Sequence, residues 1–394
     1  MKLLFVICNF EIGGTRRSLL NLLSYMSSNY DVDLELLVFS PYGAYKDMVP
    51  EKVKLIEGNW LMQGHFSEKK TISHKYNLML SRAIGSVGKK LIGEDRFWDF
   101  ILRDFANKNI DSGYDAIIGF QEGFSNFFTT FTSIEPRFVW MHNDYNNIPQ
   151  YRTRSAEAYS KVDRFFFVAE TARKSFARAY PSLKNRMAVI KNIVPIDDIR
   201  KKAQEKINED YYQEDRINII SVGRIEKQKA FERIVGILNI LGEKKNRINW
   251  VVIGDGSQKS LIESNLEQRG YKDIVHFIGT RNNPYPYMAR ADLYVLTSAY
   301  ESQPMVIMES LISGTPVIST NFDSAYELLE NKKYGRICEN SEKGIASILI
   351  DIINNPGIME QMKQHTKEFS YDNDVIVQQI FNEINKSKSR KRVN

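Results

Sequence analysis

Glu301 and Glu309 are the residues whose type and spacing most directly imply chemistry in this 394-residue chain. The run Leu293–Thr297 ahead of them is short, apolar and partly β-branched, as an interior parallel strand is. Pro304 favours the first turn of a helix, where its missing N–H costs nothing. Glu301 then lies in a strand-to-helix loop and Glu309 in the second helical turn, roughly 7–8 Å along the axis from Pro304. Helical side chains lean back toward the N-terminus, so both carboxylates face one mouth. The unpaired N–H groups of the helix start suit an anion at the same place. The combination fits a ligand that carries both hydroxyls and phosphates.

Three further stretches could contribute to such a site. Arg224 and Lys229 stand five apart after the apolar run Ile217–Val222. A guanidinium grips two phosphate oxygens and an ammonium adds a compact charge, so the pair can neutralise a diphosphate. His142 closes the run Arg137–His142, at a strand end of the kind where open α/β sheets bind ligands. A histidine there serves equally well as a structural hydrogen-bonding group. Gly13-Gly14 follows the run Leu3–Cys8 and precedes a helical pattern through Leu19, Leu20, Leu22 and Leu23. Such a pair lets a backbone approach a ligand and leaves amides at the helix start, or simply makes a tight turn.

The elements that must position these residues are apolar runs alternating with helical stretches. Beyond Leu3–Cys8, strands are expected at 33–39, 53–56, 116–120, 137–142, 164–168 and 187–191. A second set is expected at 217–222, 250–253, 275–278, 293–297, 316–319 and 335–338. The alternation implies parallel sheets covered on both faces. The length suits two cores, with a hinge at Lys191–Pro195 continuing into the charged stretch Ile199–Asp215. The expected domains are 1–193, completed by a C-terminal helix at about 370–386, and 194–369. The basic end, Lys386 to Arg392, is expected to be disordered.

Composition narrows the function. A net charge of +6 is mild, and no RNA-binding motif occurs, so an anionic ligand is expected and no nucleic acid. Two cysteines, Cys8 and Cys338, imply a reduced compartment without a disulfide framework, that is, a cytoplasmic protein. The run after Met1 is too short for a signal-peptide core, and no run reaches the ~20 apolar residues of a membrane span. The interval 66–109 breaks the strand–helix rhythm with nine basic against five acidic residues, Lys69, Lys70, Lys89, Lys90 and Arg103 among them. Ile72, Tyr76, Met79, Leu80, Ile84, Val87 and Leu91 recur at helical spacing between them. Two readings stand: a basic amphipathic helix lying on an anionic membrane, or a surface helix packed on its own domain.

Glu301, seven residues, Glu309, then Gly314-Thr-Pro-Val-Ile-Ser resembles the signature of the retaining glycosyltransferases of family 4. Ser302 and Ser310 stand where that family commonly has Gly and Ala. The resemblance covers nearly the whole chain and implies the GT-B fold: two Rossmann-like α/β domains in tandem, with the donor site in the interdomain cleft. It implies catalytic roles for His142, Arg224, Lys229 and Glu301, with His142 and Glu301 at the transferred hexose and Glu309 at the donor ribose. It implies donor binding by Gly14, Gly223, Arg224, Lys229, Gly254, Arg281, Asn283, Ser302, Gln303, Pro304, Met305, Val306 and Glu309. The loop Gly279–Tyr285 matches the region that reads uracil, so the implied donor is a UDP-hexose, and Gln121-Glu122 is expected to line the acceptor cleft. No cofactor is expected. No Asp-X-Asp metal motif falls at a strand end, so metal-independent transfer is expected too. The implied acceptor is a glycan or lipid-linked saccharide of surface polysaccharide biosynthesis, at the inner membrane face. A protein-directed transferase, a sugar-nucleotide epimerase, a phosphorylase-like enzyme and a silent sugar-nucleotide-binding partner protein are the competing classes.

Overall fold

The apolar runs form two parallel sheets. The structure, a computed structural model, describes residues 1–67, 76–147, 157–207, 209, 211–329 and 333–393. The first sheet has the order β3-β2-β1-β4-β5-β6-β7, from β1 Lys2–Asn9, β2 Asp33–Ser40, β3 Lys54–Glu57, β4 Ala116–Gly119, β5 Arg137–Met141, β6 Arg164–Phe167 and β7 Met187–Val189. The second has the order β10-β9-β8-β11-β12-β13, from β8 Ile217–Val222, β9 Ile248–Ile253, β10 Val275–Phe277, β11 Leu293–Leu296, β12 Val317–Thr320 and β13 Gly335–Cys338. Leu3–Ile7 and Ile248–Ile253 are buried along their length, because helices cover both faces of a parallel sheet. In each sheet the order of strand addition reverses once, between β1 and β4 and between β8 and β11. Loops part at such a switch point and leave a crevice at the carboxyl ends of the strands.

Two compact units result: Met1–Ile193 with Asp372–Asn394, and Val194–Tyr371. The helix Asn373–Val393 belongs to the first unit. Tyr25 and Tyr30 donate to Asp374 Oδ1 at 3.0 and 2.6 Å, and Ile380 and Ile384 are fully buried. The expected disorder from Lys386 onward is corrected here. Ser387 is buried and Lys388 pairs with Asp115, so the basic end continues the helix through Val393. The charged stretch expected to act as a hinge also begins as a packed element. Ile196–Ala203 is a helix with Ile199 fully buried, acidic residues in its first turn and basic ones in its last, which matches the helix dipole.

In the basic interval, Lys69, Lys70, Ile72 and Lys75 lie outside the described residues. Two helices follow, Tyr76–Ile92 and Glu94–Asn109. The second turns Phe97, Trp98, Leu102 and Phe105 inward. The first turns its small residues inward: Ser81 is buried against Gly64 of the helix Trp60–Phe66, and a Cβ on Gly88 would come within 2.2 Å of the Phe97 ring. Close approach on that side leaves the apolar stripe outside. Tyr76, Met79, Leu80, Ile84, Val87 and Leu91 are 44–78% exposed. The reading in which this face packs on its own domain is therefore overturned.

Candidate active site

In the second unit, β8 and β11 flank the switch point and deliver the two oppositely charged groups. Lys229 follows β8 in a short 3-10 turn, and that turn is pinned to the segment after β11. Thr297 Oγ1 donates to Lys229 O at 2.7 Å, Ala299 N to Gln228 O at 2.8 Å, and Gln228 Nε2 to Tyr300 O at 3.2 Å. The result is an ion pair between Lys229 Nζ and Glu301 Oε1 at 2.6 Å, with side chains only 16% and 9% exposed. Ser298 Oγ donates to the same carboxylate oxygen at 2.8 Å. Arg224 is exposed and makes no ion pair among the described residues, so its guanidinium is available to an anion.

The helix Met305–Ile312 starts beside this pair. Pro304 occupies its N-cap, one position earlier than expected, and supplies no side-chain cap, so the first amides remain available. Glu309, in the second turn, accepts from Tyr285 Oη at 3.3 Å. Gln303 is hydrogen-bonded to the half-buried Tyr371 hydroxyl. Ser310 is satisfied within the fold, since its Oγ donates to Thr315 O at 2.8 Å. Beneath the site lies Tyr294, whose hydroxyl donates to Val222 O at 3.0 Å and accepts from Val222 N at 3.3 Å. Burial raises its pKa, and the fields of Glu309 and Glu301 add to the rise.

The glycine loops stack against one another. Gly254 N donates to Gly279 O and Gly223 N to Ile253 O, each at 3.0 Å. Gly254 has φ +148°, and a Cβ there would lie 1.9 Å from Gly223 O, so only glycine fits. Arg281 and Asn283 are engaged in holding the third loop. Arg281 Nη2 meets Glu209 Oε2 at 3.0 Å, and Asn283 Nδ2 donates to Glu205 Oε2 at 2.8 Å and Lys202 O at 3.0 Å. These contacts leave the loop backbone, more than the two side chains, to meet a ligand.

Ala230, directly after Lys229, adopts φ 51° and ψ 42°. Left-handed backbone costs an L-residue about 1–2 kcal/mol, against a glycine entropy cost of about 0.5–1 kcal/mol in the unfolded chain. Ala230→Gly is therefore expected to stabilise the protein by about 0.5–1 kcal/mol. Denaturant unfolding that shows a loss instead would contradict this backbone assignment.

In the first unit the corresponding strand ends bring together Asn9, Gly13, Gly14 and Arg16 after β1, Glu122 after β4, and His142 after β5. Gly14 opens the helix Gly14–Asn29, and a methyl there would meet no protein atom within 4 Å. His142 is 7% exposed. Its ring donates to the Phe120 carbonyl, while Nε2 is buried without a partner. Burial, with Arg16 nearby, pushes its pKa down to about 3, so the imidazole is neutral at physiological pH. Glu122 corrects an expectation. It is 4% exposed and lines no cleft; its Oε1 accepts from the backbone N–H of His142 at 2.5 Å and of Asn143 at 2.7 Å. It anchors the end of β5 and so fixes where His142 stands.

Sequence reasoning missed Arg16, Tyr294, Ser298 and the anchoring role of Glu122. A double arginine in a first helical turn and a hydroxyl three residues before Glu301 were the only local signals. Among the described residues, no three His, Cys, Asp or Glu side chains group as metal ligands, and no helix is long and apolar enough to cross a membrane.

Two tandem Rossmann-like units, each with a strand-end site, define the GT-B fold class. Residues 202–369 match the model of the family described as glycosyl transferases group 1. Anabaena HepE solved with UDP-glucose shares the fold, with TM-score 0.70 and 17% identity over 98% of this chain and 100% of that one. So does Staphylococcus aureus TarM, solved with UDP and α-GlcNAc-glycerol, with TM-score 0.71 and 14% identity over 98% and 99%. Among characterised relatives is a Campylobacter jejuni N-acetylgalactosaminyltransferase named for a diphospho-undecaprenol-linked substrate. It is 24% identical over 205 residues, 52% of this chain and 54% of that one. The chain spans about half the length of the curated relatives it matches.

Proposed function

We propose that the protein is a retaining hexosyltransferase that moves a hexose from UDP to a glycan or lipid-linked saccharide in surface polysaccharide synthesis. The observation that carries this reading is the Lys229–Glu301 pair beside Arg224 and an uncapped helix start. That arrangement suits a diphosphate, with a carboxylate for sugar hydroxyls. In the proposed reaction the bond from the anomeric carbon to the diphosphate breaks, and the acceptor oxygen bonds to the same face of that carbon. The acceptor proton goes to the leaving phosphate. Arg224, Lys229 and the helix amides stabilise the charge developing on that phosphate. Glu301 and neutral His142 position the hexose, and Glu309 the ribose. The domain roles follow: donor in Val194–Tyr371, acceptor in the first unit.

A donor screen by thermal shift tests this reading. Uridine diphosphate sugars should raise the melting temperature more than adenosine or guanosine ones, and no shift with any nucleotide sugar would refute it. With two cations at the diphosphate, divalent metal is not required. Transfer should persist in EDTA; loss in EDTA with recovery on adding Mg²⁺ or Mn²⁺ would reverse the metal-independent mechanism.

The exposed stripe of the helix Tyr76–Ile92, with Lys90 on the same element, supports an acceptor held on a lipid carrier at the inner face of the cell membrane. An amphipathic helix buries such a face at the acyl boundary, and each nearby cation adds about 1 kcal/mol on anionic lipid. Leu80→Ser, Val87→Ser and Leu91→Ser together are expected to lower binding to anionic vesicles at least ~10-fold. Vesicle sedimentation decides: wild type that stays in the supernatant at low salt points to a soluble acceptor.

A further inference from the structure

The helix Tyr76–Ile92 carries a second charged feature, on the side opposite its apolar stripe. At 3.6 residues per turn, Arg82, Gly85, Ser86 and Lys89 share one face, and Leu80, Val87 and Leu91 stand about half a turn away from it. The basic face turns toward His65 of the helix Trp60–Phe66, and together they line a cavity of about 230 Å³. Arg82 and Lys89 are two helical turns apart, and Gly85 between them supplies no side chain. A Cβ there would meet only Phe97 Cε1, at 4.0 Å, so the space between the cations is open. The Arg82 guanidinium makes no hydrogen bond or ion pair among the described residues. Lys89 Nζ pairs with Glu94 Oε1 at 2.6 Å, so one carboxylate stands against two cations and the cavity keeps a surplus of positive charge.

The opposite wall adds a proton donor. His65 lies against Trp98, with ring centroids 4.1 Å apart, and has Phe66 and Phe124 at its edges. Burial and the charges of Lys89 and Arg82 push its pKa down to about 4, against the pull of Glu94, so the ring is neutral at physiological pH. Neither ring nitrogen makes a hydrogen bond among the described residues, so the single ring proton is free to sit on the nitrogen that faces a ligand. An anion between Arg82 and Lys89 relieves their repulsion and receives that N–H. Asn9, at the end of β1, donates from Nδ2 to Phe66 O at 2.8 Å, which sets the cavity beside the strand-end crevice of the first unit.

We propose that Arg82, Lys89 and His65 form an oxyanion site for a phosphate or sulfate group borne by a saccharide. A guanidinium that grips two oxygens and an ammonium that adds a compact charge suit a tetrahedral anion. Free inorganic phosphate and a lipid headgroup share this chemistry. The cavity faces the protein on the side away from Leu80, Val87 and Leu91, which favours a saccharide-borne group over a headgroup. The saccharide rests on the transferase reading, in which the first unit holds the acceptor; the binding of the oxyanion does not.

NMR titration of the histidine signals and calorimetry on the full chain test the site, with inorganic phosphate, glucose 1-phosphate, glucose and phosphatidylglycerol vesicles as probes. Phosphate and glucose 1-phosphate should move the His65 signals, identified by their loss in His65→Gln, and glucose should not. Arg82→Gln should weaken both charged probes at least ~10-fold, whereas Glu94→Gln, which releases Lys89, should tighten them. Gly85→Leu, which fills the gap between the cations, should abolish the shift in a protein that still folds. Lys229→Met should leave it unchanged, which separates this cavity from the proposed donor site. Tighter binding of glucose 1-phosphate than of phosphate supports the saccharide, and equal affinity overturns that part in favour of the free ion. Vesicle binding that falls in Arg82→Gln as far as in the triple serine variant assigns the anion to a headgroup and overturns the saccharide likewise. Unchanged affinity for both charged probes in a folded Arg82→Gln protein overturns the site itself. Arg82-dependent phosphate binding in a protein that transfers no sugar keeps the site and defeats the transferase reading instead.

Discussion

Lys229→Met is expected to weaken UDP binding by about 1.5–3 kcal/mol, roughly 10- to 150-fold, the range for losing one charged hydrogen bond. Lys229 Nζ lies 2.6 Å from Glu301 Oε1 in a largely buried pair, so an incoming phosphate must share or replace that carboxylate. The same substitution leaves Glu301 with the Ser298 hydroxyl but no cation. A buried charge stripped of its partner is destabilising, here by up to about 3 kcal/mol. The double variant Lys229→Met with Glu301→Gln separates the two effects: stability should return and UDP affinity should not. Calorimetry and denaturant unfolding of both proteins make the check, and a single variant that binds UDP like wild type removes Lys229 from the donor site.

The second large effect is expected at Glu122. Its removal in Glu122→Ala leaves the buried N–H of His142 and the part-buried N–H of Asn143 without their acceptor. At about 1–3 kcal/mol for an unsatisfied buried group, the loss is about 1–3 kcal/mol of stability from His142, with less from Asn143. If His142 positions the hexose as proposed, transfer should fall at least ~100-fold. Glu122→Gln keeps the shape and should retain most of the stability. It also carries a pH signature. Burial raises the Glu122 pKa, so in wild type the folded state holds that proton more readily and stability declines as pH rises through the window above the usual carboxylate value. His142, pushed down to about 3, acts oppositely: the unfolded state binds the extra proton between about 3 and 6.5, so stability rises with pH there. Without the carboxyl only the histidine contribution remains. Glu122→Gln should lose stability more steeply than wild type between pH 6.5 and 5 in denaturant titrations; parallel curves would place neither group where the structure has them.

These contacts mark where sequence reading ends. Every strand was legible, since parallel strands covered on both faces appear as unbroken apolar runs such as Leu3–Cys8 and Trp250–Ile253. Boundaries moved by no more than two residues because Gly, Asn and Pro punctuate the runs. The strand-end loops of the second unit were legible for the same reason, their glycines and charges falling directly after strands. The pair Lys229–Glu301 spans 72 positions and Glu122–His142 spans 20, and no local pattern encodes a contact between distant strand ends. The helix Tyr76–Ile92 stood between two readings for another reason. Its periodicity shows an apolar face but not which face meets the core, and Ser81 and Gly88 packed closely enough to win the inner side. The C-terminal charges read as solvated because Asp115, the partner of Lys388, is 273 residues away.

Acceptor-stimulated release of UDP tests the central claim most directly. With a UDP-hexose chosen by the donor screen, release of UDP should be slow alone and rise at least ~10-fold on adding a lipid-diphosphate-linked saccharide, in EDTA, with the new linkage keeping the anomeric configuration of the donor. Glu301→Gln should bind UDP within a few-fold of wild type and lose that stimulation. A protein that binds UDP-hexoses tightly yet releases no UDP with lipid-linked, free-glycan or protein acceptors would contradict transfer and make this chain a sugar-nucleotide-binding partner protein.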